Sequence, residues 1–209
     1  MERITSKLQV YGEYKLPATN LYKSYCNITG KIVVPDSYTT NETHADLLVF
    51  VGFVNEPHNN FNAAGTFCMQ QNKTGKPLVG YIIFNEGRLN YAKQNLEQNI
   101  NITMHELLHV LVFSKDLFAY FPKVNGESVL SQNSQGDYFY KGKNLVNVAK
   151  EHFECSTLTQ LPLENEGSDG SKGNHFEATV FGNEVMVSSA KHGYKFSKFT
   201  LAVMQDSGW

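Results

Sequence analysis

The chain has 209 residues, 41% of them hydrophobic and 18% charged, with a formal net charge of -2. That composition belongs to a folded protein long enough to bury a real core, and it excludes a disordered chain. The 18 Lys and Arg are scattered, which argues against nucleic-acid binding, and no apolar run reaches the roughly 20 residues of a membrane span.

In chain order, the segment Met1 to Tyr14 lacks the apolar stretch of a secretory signal. Lys31 to Val34 and Asp46 to Val54 are rich in β-branched and aliphatic residues and predict strands, the first closed by the turn signal Pro35-Asp36-Ser37. Ala63 to Met69 predicts a short strand and Pro77 to Phe84 a stronger one, closed by Asn85-Glu86-Gly87. Continuous apolar runs of this kind imply strands covered on both faces, as in layered α/β proteins. A helix is expected from about Asn90 to Phe113, with Ile102, Leu108, Leu111 and Val112 as its apolar face. A second helix is expected from Asn144 to Phe153. Gly167 to Gly173 predicts a loop and Asn183 to Ser189 a turn around Met186. Ser197 can cap a last helix running through Gln205, which Gly208 ends.

The chemistry lies in His105-Glu106-Leu107-Leu108-His109, an H-E-x-x-H motif. Residues four apart share one face of a helix, so the two imidazoles can bind one metal ion together. Zinc suits neutral nitrogen ligands, and Glu106 is placed to take a proton from water on the metal's open side. At this composition the motif arises by accident in about one chain of this length in a hundred. The expected amphipathic helix after a strand favours the functional reading.

A catalytic zinc site takes three protein ligands and keeps one position for water. In the short-spaced metzincin pattern, position 112 is Gly and position 115 is His; here they are Val112 and Lys115. The third ligand must therefore come from further along. His175, in Gly173-Asn174-His175-Phe176-Glu177, is the candidate, because Met186 follows it as a methionine turn would. Alone, His175 would read as a surface loop histidine and Met186 as core filler. His44, His58, His152 and His192 read as non-ligands.

These residues resemble the leishmanolysin family of metzincin zinc peptidases, in which a long insertion separates H-E-x-x-H from the third His. The resemblance extends to Gly75 to Tyr81, His152 to Leu158, Leu163 to Gly167, Phe181 to Met186 and Leu201 to Trp209, in that order, and covers most of the chain from about Lys31. It implies an α+β fold with an upper lobe, residues 1–115, of twisted mixed sheet and active-site helix. The lower lobe, residues 116–209, would be mostly irregular with helices and a Met-turn. It implies one zinc ion on His105, His109 and His175, with Glu106 as base, Met186 as Met-turn, and protein or peptide substrates cleaved at the cell surface or outside the cell, with a possible link to adhesion.

The resemblance also implies a Cys26–Cys68 disulfide, with Cys155 paired to a residue beyond Trp209. A single catalytic domain cut from a longer precursor is therefore expected, with any membrane association through parts outside this chain. Four N-x-[ST] sequons, at Asn27, Asn41, Asn72 and Asn101, agree with a secreted setting. Tyr194, after His192-Gly193, is a candidate donor to the oxyanion; a packed or surface tyrosine is the alternative. Val112 departs from the family's Gly. Either the helix ends differently here, or the lower lobe shifts and activity suffers. Asn174 replaces a usual Ser and is expected to matter less. The rival reading is a zinc-keeping adhesion module on a dead protease scaffold.

Overall fold

Strand-forming segments organise the first part of the chain and side-chain hydrogen bonds the second. The computed structural model describes residues 15–89, 96–189 and 194–209. The expected helix start at Asn90 and the non-ligand His192 lie outside the described residues. The chain divides into two units, residues 1–71 with 77–111, and residues 72–76 with 112–209.

The first unit holds β1 (Lys15–Leu16), α1 (Leu21–Cys26), α2 (Ser37–Thr40), β2 (Thr43–His44), β3 (Leu48–Val54), β4 (Ala63–Gln70), β5 (Pro77–Asn85) and α3 (Leu96–Leu111). β1 and β2 form a small antiparallel pair. The main sheet has the order β3-β5-β4, with β3 parallel and β4 antiparallel to the central β5. The fold is thus α+β with a mixed sheet. Tyr22, Cys26, Ile32, Val34, Phe50 and Val79 form a core on one face of it. A Cys26–Cys68 disulfide ties α1 to β4.

Two expectations are corrected here. Lys31 to Val34 is not a strand. The amides of Lys31 and Ile32 both donate to the Ile28 carbonyl, and Val34 donates to the Asn27 side chain at 2.7 Å, so a tight turn uses the backbone groups that a ladder would need. This turn lies over Gly52, where a Cβ would stand 2.1 Å from the Lys31 carbonyl oxygen. Nor is β3 covered on both faces: Val51 and Phe53 are each 54% exposed while Phe50 and Val54 are buried. Its apolar run includes outward residues, and Phe53 stacks on Phe84 with ring centroids 5.8 Å apart.

The second unit holds α4 (Lys115–Phe118), β6 (Leu130–Gln132), β7 (Tyr138–Tyr140), α5 (Lys143–His152), β8 (Leu161–Pro162), α6 (Ala178–Phe181) and α7 (Lys198–Ser207). β6, β7 and β8 form a short antiparallel sheet. α5 and α7 pack together, and α7 caps α5. The Asp206 carboxylate accepts from the amides of Asn144 (2.7 Å) and Leu145 (3.2 Å) and from the Tyr140 hydroxyl (3.3 Å). Burial nevertheless holds its carboxyl above the usual range, against those bonds. Gly142 makes room, since a Cβ there would stand 2.2 Å from Asp206 Oδ2. Ser197 caps α7 through the Phe199 amide, and Gly208 closes it in the left-handed region at φ 75°. No helix among the described residues is long and apolar enough to cross a membrane.

Candidate metal centre

His105 and His109 stand one turn apart on α3. Their Nε2 atoms lie 3.0 Å apart and their rings cross at 78°. Zinc–nitrogen bonds of about 2.0–2.1 Å in a tetrahedron would separate two ligand nitrogens by about 3.3 Å. The pair is therefore set for one ion.

α3 reaches this position because two strands offer it glycines. A Cβ at Gly65 of β4 would meet the Glu106 carbonyl oxygen at 2.5 Å, and one at Gly80 of β5 would meet Val110 Cγ1 at 2.4 Å. Sequence reasoning missed both, because a glycine inside a strand reads only as a weak spot until its neighbour is known. The Gly65 amide also donates to the Glu106 carboxylate. Glu106 is 7% exposed, and burial pushes its carboxyl up to about 8, the Gly65 bond opposing.

Val112 stands at the end of the helix without a positive φ. The only non-glycine residues with positive φ among those described are Asn125 and Glu154. The helix stops at Leu111, and the Val112 carbonyl accepts from the Ser114 amide at 3.1 Å. Val112 is buried in ordinary backbone, so the helix ends without the left-handed residue that a glycine would supply.

His175 belongs to no regular element. Gly173 precedes it at φ 74°, a conformation that suits glycine. The Asn174 side chain accepts from the Lys115 amide at 2.8 Å and donates to the carbonyls of Asp169 (3.4 Å) and Gly170 (3.1 Å). A serine hydroxyl could not span all three. His175 Nδ1 stands 3.1 Å from the Ser171 carbonyl, which assigns the proton to Nδ1 and the lone pair to Nε2. Burial pushes its pKa down to about 4, opposed by the Ser171 bond, so the ring stays neutral, the form that binds a metal.

Met186 is fully buried, and its carbonyl accepts from the Phe176 amide at 2.8 Å. The turn bearing it thus lies beside the His175 segment. Tyr194 is half-buried next to Lys195, which exchanges backbone bonds with Asn183 and Val185. One ring nitrogen each of His105, His109 and His175 lies within 4.8 Å of the others. Three imidazoles so gathered fit zinc.

A family model described as leishmanolysin matches residues 2–209. The chain is similar to a leishmanolysin-like peptidase of Drosophila pseudoobscura pseudoobscura, at 26% identity over 95% of this chain and 35% of the relative. Leishmanolysin of Leishmania tropica is 28% identical over 100% of this chain and 30% of the relative. A ciliated left-right organizer metallopeptidase of Xenopus laevis is 30% identical over 70% of this chain and 22% of the relative. The chain spans about a third of the length of the first two relatives. With the ordered motifs and the three gathered histidines, these matches place the chain in the leishmanolysin family.

Proposed function

We propose that this chain carries the catalytic centre of a zinc-dependent metalloendopeptidase, with one zinc ion held by His105, His109 and His175 and with Glu106 as base. One observation carries the reading: a ring nitrogen of each histidine lies within 4.8 Å of the others, and Glu106 sits beside the first of them on the same helix. Zinc held there would polarise a peptide carbonyl and acidify a water beside it. Glu106 accepts the proton of that water and delivers it to the leaving amine. A buried carboxyl with raised proton affinity suits both steps. Met186 supports the His175 segment as the Met-turn, and Tyr194 donates to the oxyanion. Among the described residues β4 pairs only with β5 and so lies at the sheet edge, where a substrate strand can add to it.

We further place the activity outside the cell or at its surface, supported by the Cys26–Cys68 disulfide and the four sequons. A role in adhesion belongs to the same proposal. The adhesion module on a dead scaffold is disfavoured, because a structural zinc site has no use for a buried Glu106 and because Val112 sits without strain.

The test measures zinc content and casein cleavage for this chain and for Glu106→Ala. One zinc per chain in both is expected, with cleavage falling about 10²–10⁴-fold in the variant. Zinc without cleavage in the parent would favour the scaffold reading, and no zinc at all would sink the proposal.

A further inference from the structure

Glu164 lies on none of the helices and outside the metal-binding motif, yet it is 8% exposed. Its main chain brackets the third histidine. The Glu164 amide donates to the His175 carbonyl at 2.9 Å, and the Glu164 carbonyl accepts from the Gly173 amide at 2.9 Å. Next to it, Leu163 and Phe176 form an antiparallel bridge, and the Leu163 amide donates to the Tyr138 carbonyl of β7 at 3.0 Å. On its other side the His175 segment meets the methionine turn, through the Phe176 amide to the Met186 carbonyl and a parallel bridge between Phe176 and Val187.

The side chain of Glu164 then closes a ring. Its Oε2 accepts the Ser188 hydroxyl at 2.6 Å, two residues beyond Met186, and its Oε1 accepts the Glu166 amide at 3.0 Å. Going round, the Glu164 backbone holds His175, the His175 segment holds Met186 and Val187, and Ser188 returns to the Glu164 carboxylate. No lysine or arginine pairs with this carboxylate among the described residues. A buried carboxylate held only by neutral donors is a poor way to gain stability, since an apolar residue of similar volume avoids the desolvation cost. Geometry is what it supplies.

We propose that Glu164 is a positioning residue for the metal centre, fixing the His175 backbone and the Met186 turn as one unit by way of Ser188. This rests on the reading of His175 as the third zinc ligand. Loss of the ring leaves the His105–His109 pair intact but frees the third ligand to wander, so metal affinity falls before the fold does.

The experiment is a double-mutant cycle on the zinc dissociation constant, read by competition with a chromogenic chelator. The variants are Glu164→Ala, Ser188→Ala, their combination and Glu164→Gln. Each alanine variant is expected to weaken zinc binding about 10–100-fold, and the double variant no more than Glu164→Ala. Glu164→Gln should stay close to the parent, because its amide oxygen can accept from Glu166 while its NH2 donates to Ser188. The melting temperature of the chelator-treated protein separates position from stability. If Ser188→Ala lowers that temperature but leaves zinc affinity unchanged, Glu164 is only structural and the proposal fails. Additive losses in the double variant also overturn it. Should Glu164→Ala not fold, Ser188→Ala and Glu164→Gln still decide. A parent that binds no zinc would instead overturn the functional reading beneath it.

Discussion

His109 and His175 present the same chemical group by different means. His109 is held by periodicity: a regular helix of 16 residues places it one turn from His105, and two strand glycines let that helix come close. His175 lies in a segment with no regular structure, held by individual hydrogen bonds: the Ser171 carbonyl accepts from its ring, the Glu164 amide donates to its carbonyl, and the neighbouring Asn174 side chain accepts from the Lys115 amide. Regular structure places a ligand through a pattern that many residues share. A loop places one through a few residues, each of which counts.

The first way to sharpen this contrast is the staple. Among described residues the first unit has the Cys26–Cys68 disulfide, whose cysteines are 42 positions apart, while Cys155 of the second unit is unpaired. Replacing both bridged cysteines by serine should cost about 4 kcal/mol in urea unfolding. A loss below about 1 kcal/mol would show that the staple does not hold the first unit, the entropic estimate being what fails.

The second concerns pH, because the two regions bury opposite groups. Glu106 has its folded pKa raised to about 8, so it binds its proton more tightly in the folded state, and the stability that this confers is lost as pH rises from 4.5 towards 8. His175 has its folded pKa lowered to about 4, so the unfolded state binds more protons below 6.5, and stability is lost as pH falls from there to 4. In the metal-free protein, Glu106→Gln should therefore gain on the parent by on the order of 3 kcal/mol between pH 5 and pH 8. His175→Gln should gain on it in the other direction, as pH falls. Melting temperatures across pH with chelator present would read both slopes; flat differences would show that the two groups are not held neutral.

The smallest effects come from single methyl groups. Gly65→Ala should cost about 1–3 kcal/mol, because the new Cβ meets helix backbone that cannot swing aside. Gly173→Ala should cost about 1–2 kcal/mol for its left-handed conformation, since its Cβ would stand 3.0 Å from the Tyr138 ring, which can give. Thermal unfolding of the two variants compares them, and a larger loss at Gly173 would reverse the contrast.

The same contrast governed what the sequence revealed. The expected strands at 46–54, 63–69 and 77–84 and the helices at 144–153 and 197–205 appear within two residues of their observed bounds, because apolar runs and caps mark long elements. The H-E-x-x-H pair was legible from spacing alone. His175 was not: only the Met186 that follows it, and then the resemblance, singled it out, and the bonds that hold it join residues that no short pattern links. The six residues of α1 and the short strands β6 to β8 were missed because they are too brief to show a period. Lys31 to Val34 was misread because strand propensity says nothing of an asparagine side chain that takes an amide from the ladder.

The cap on α5 has a consequence for how the chain is made. Gly142 offers α5 no side chain, and the carboxylate that satisfies its first amides sits on Asp206, 62 residues after Asn144. On the ribosome α5 emerges long before its cap, and a helix of ten residues is marginal in water without tertiary support. Its stable folding therefore awaits the last few residues of this sequence, and a nascent chain stalled before Asp206 would expose an unfinished helix to chaperones or proteases.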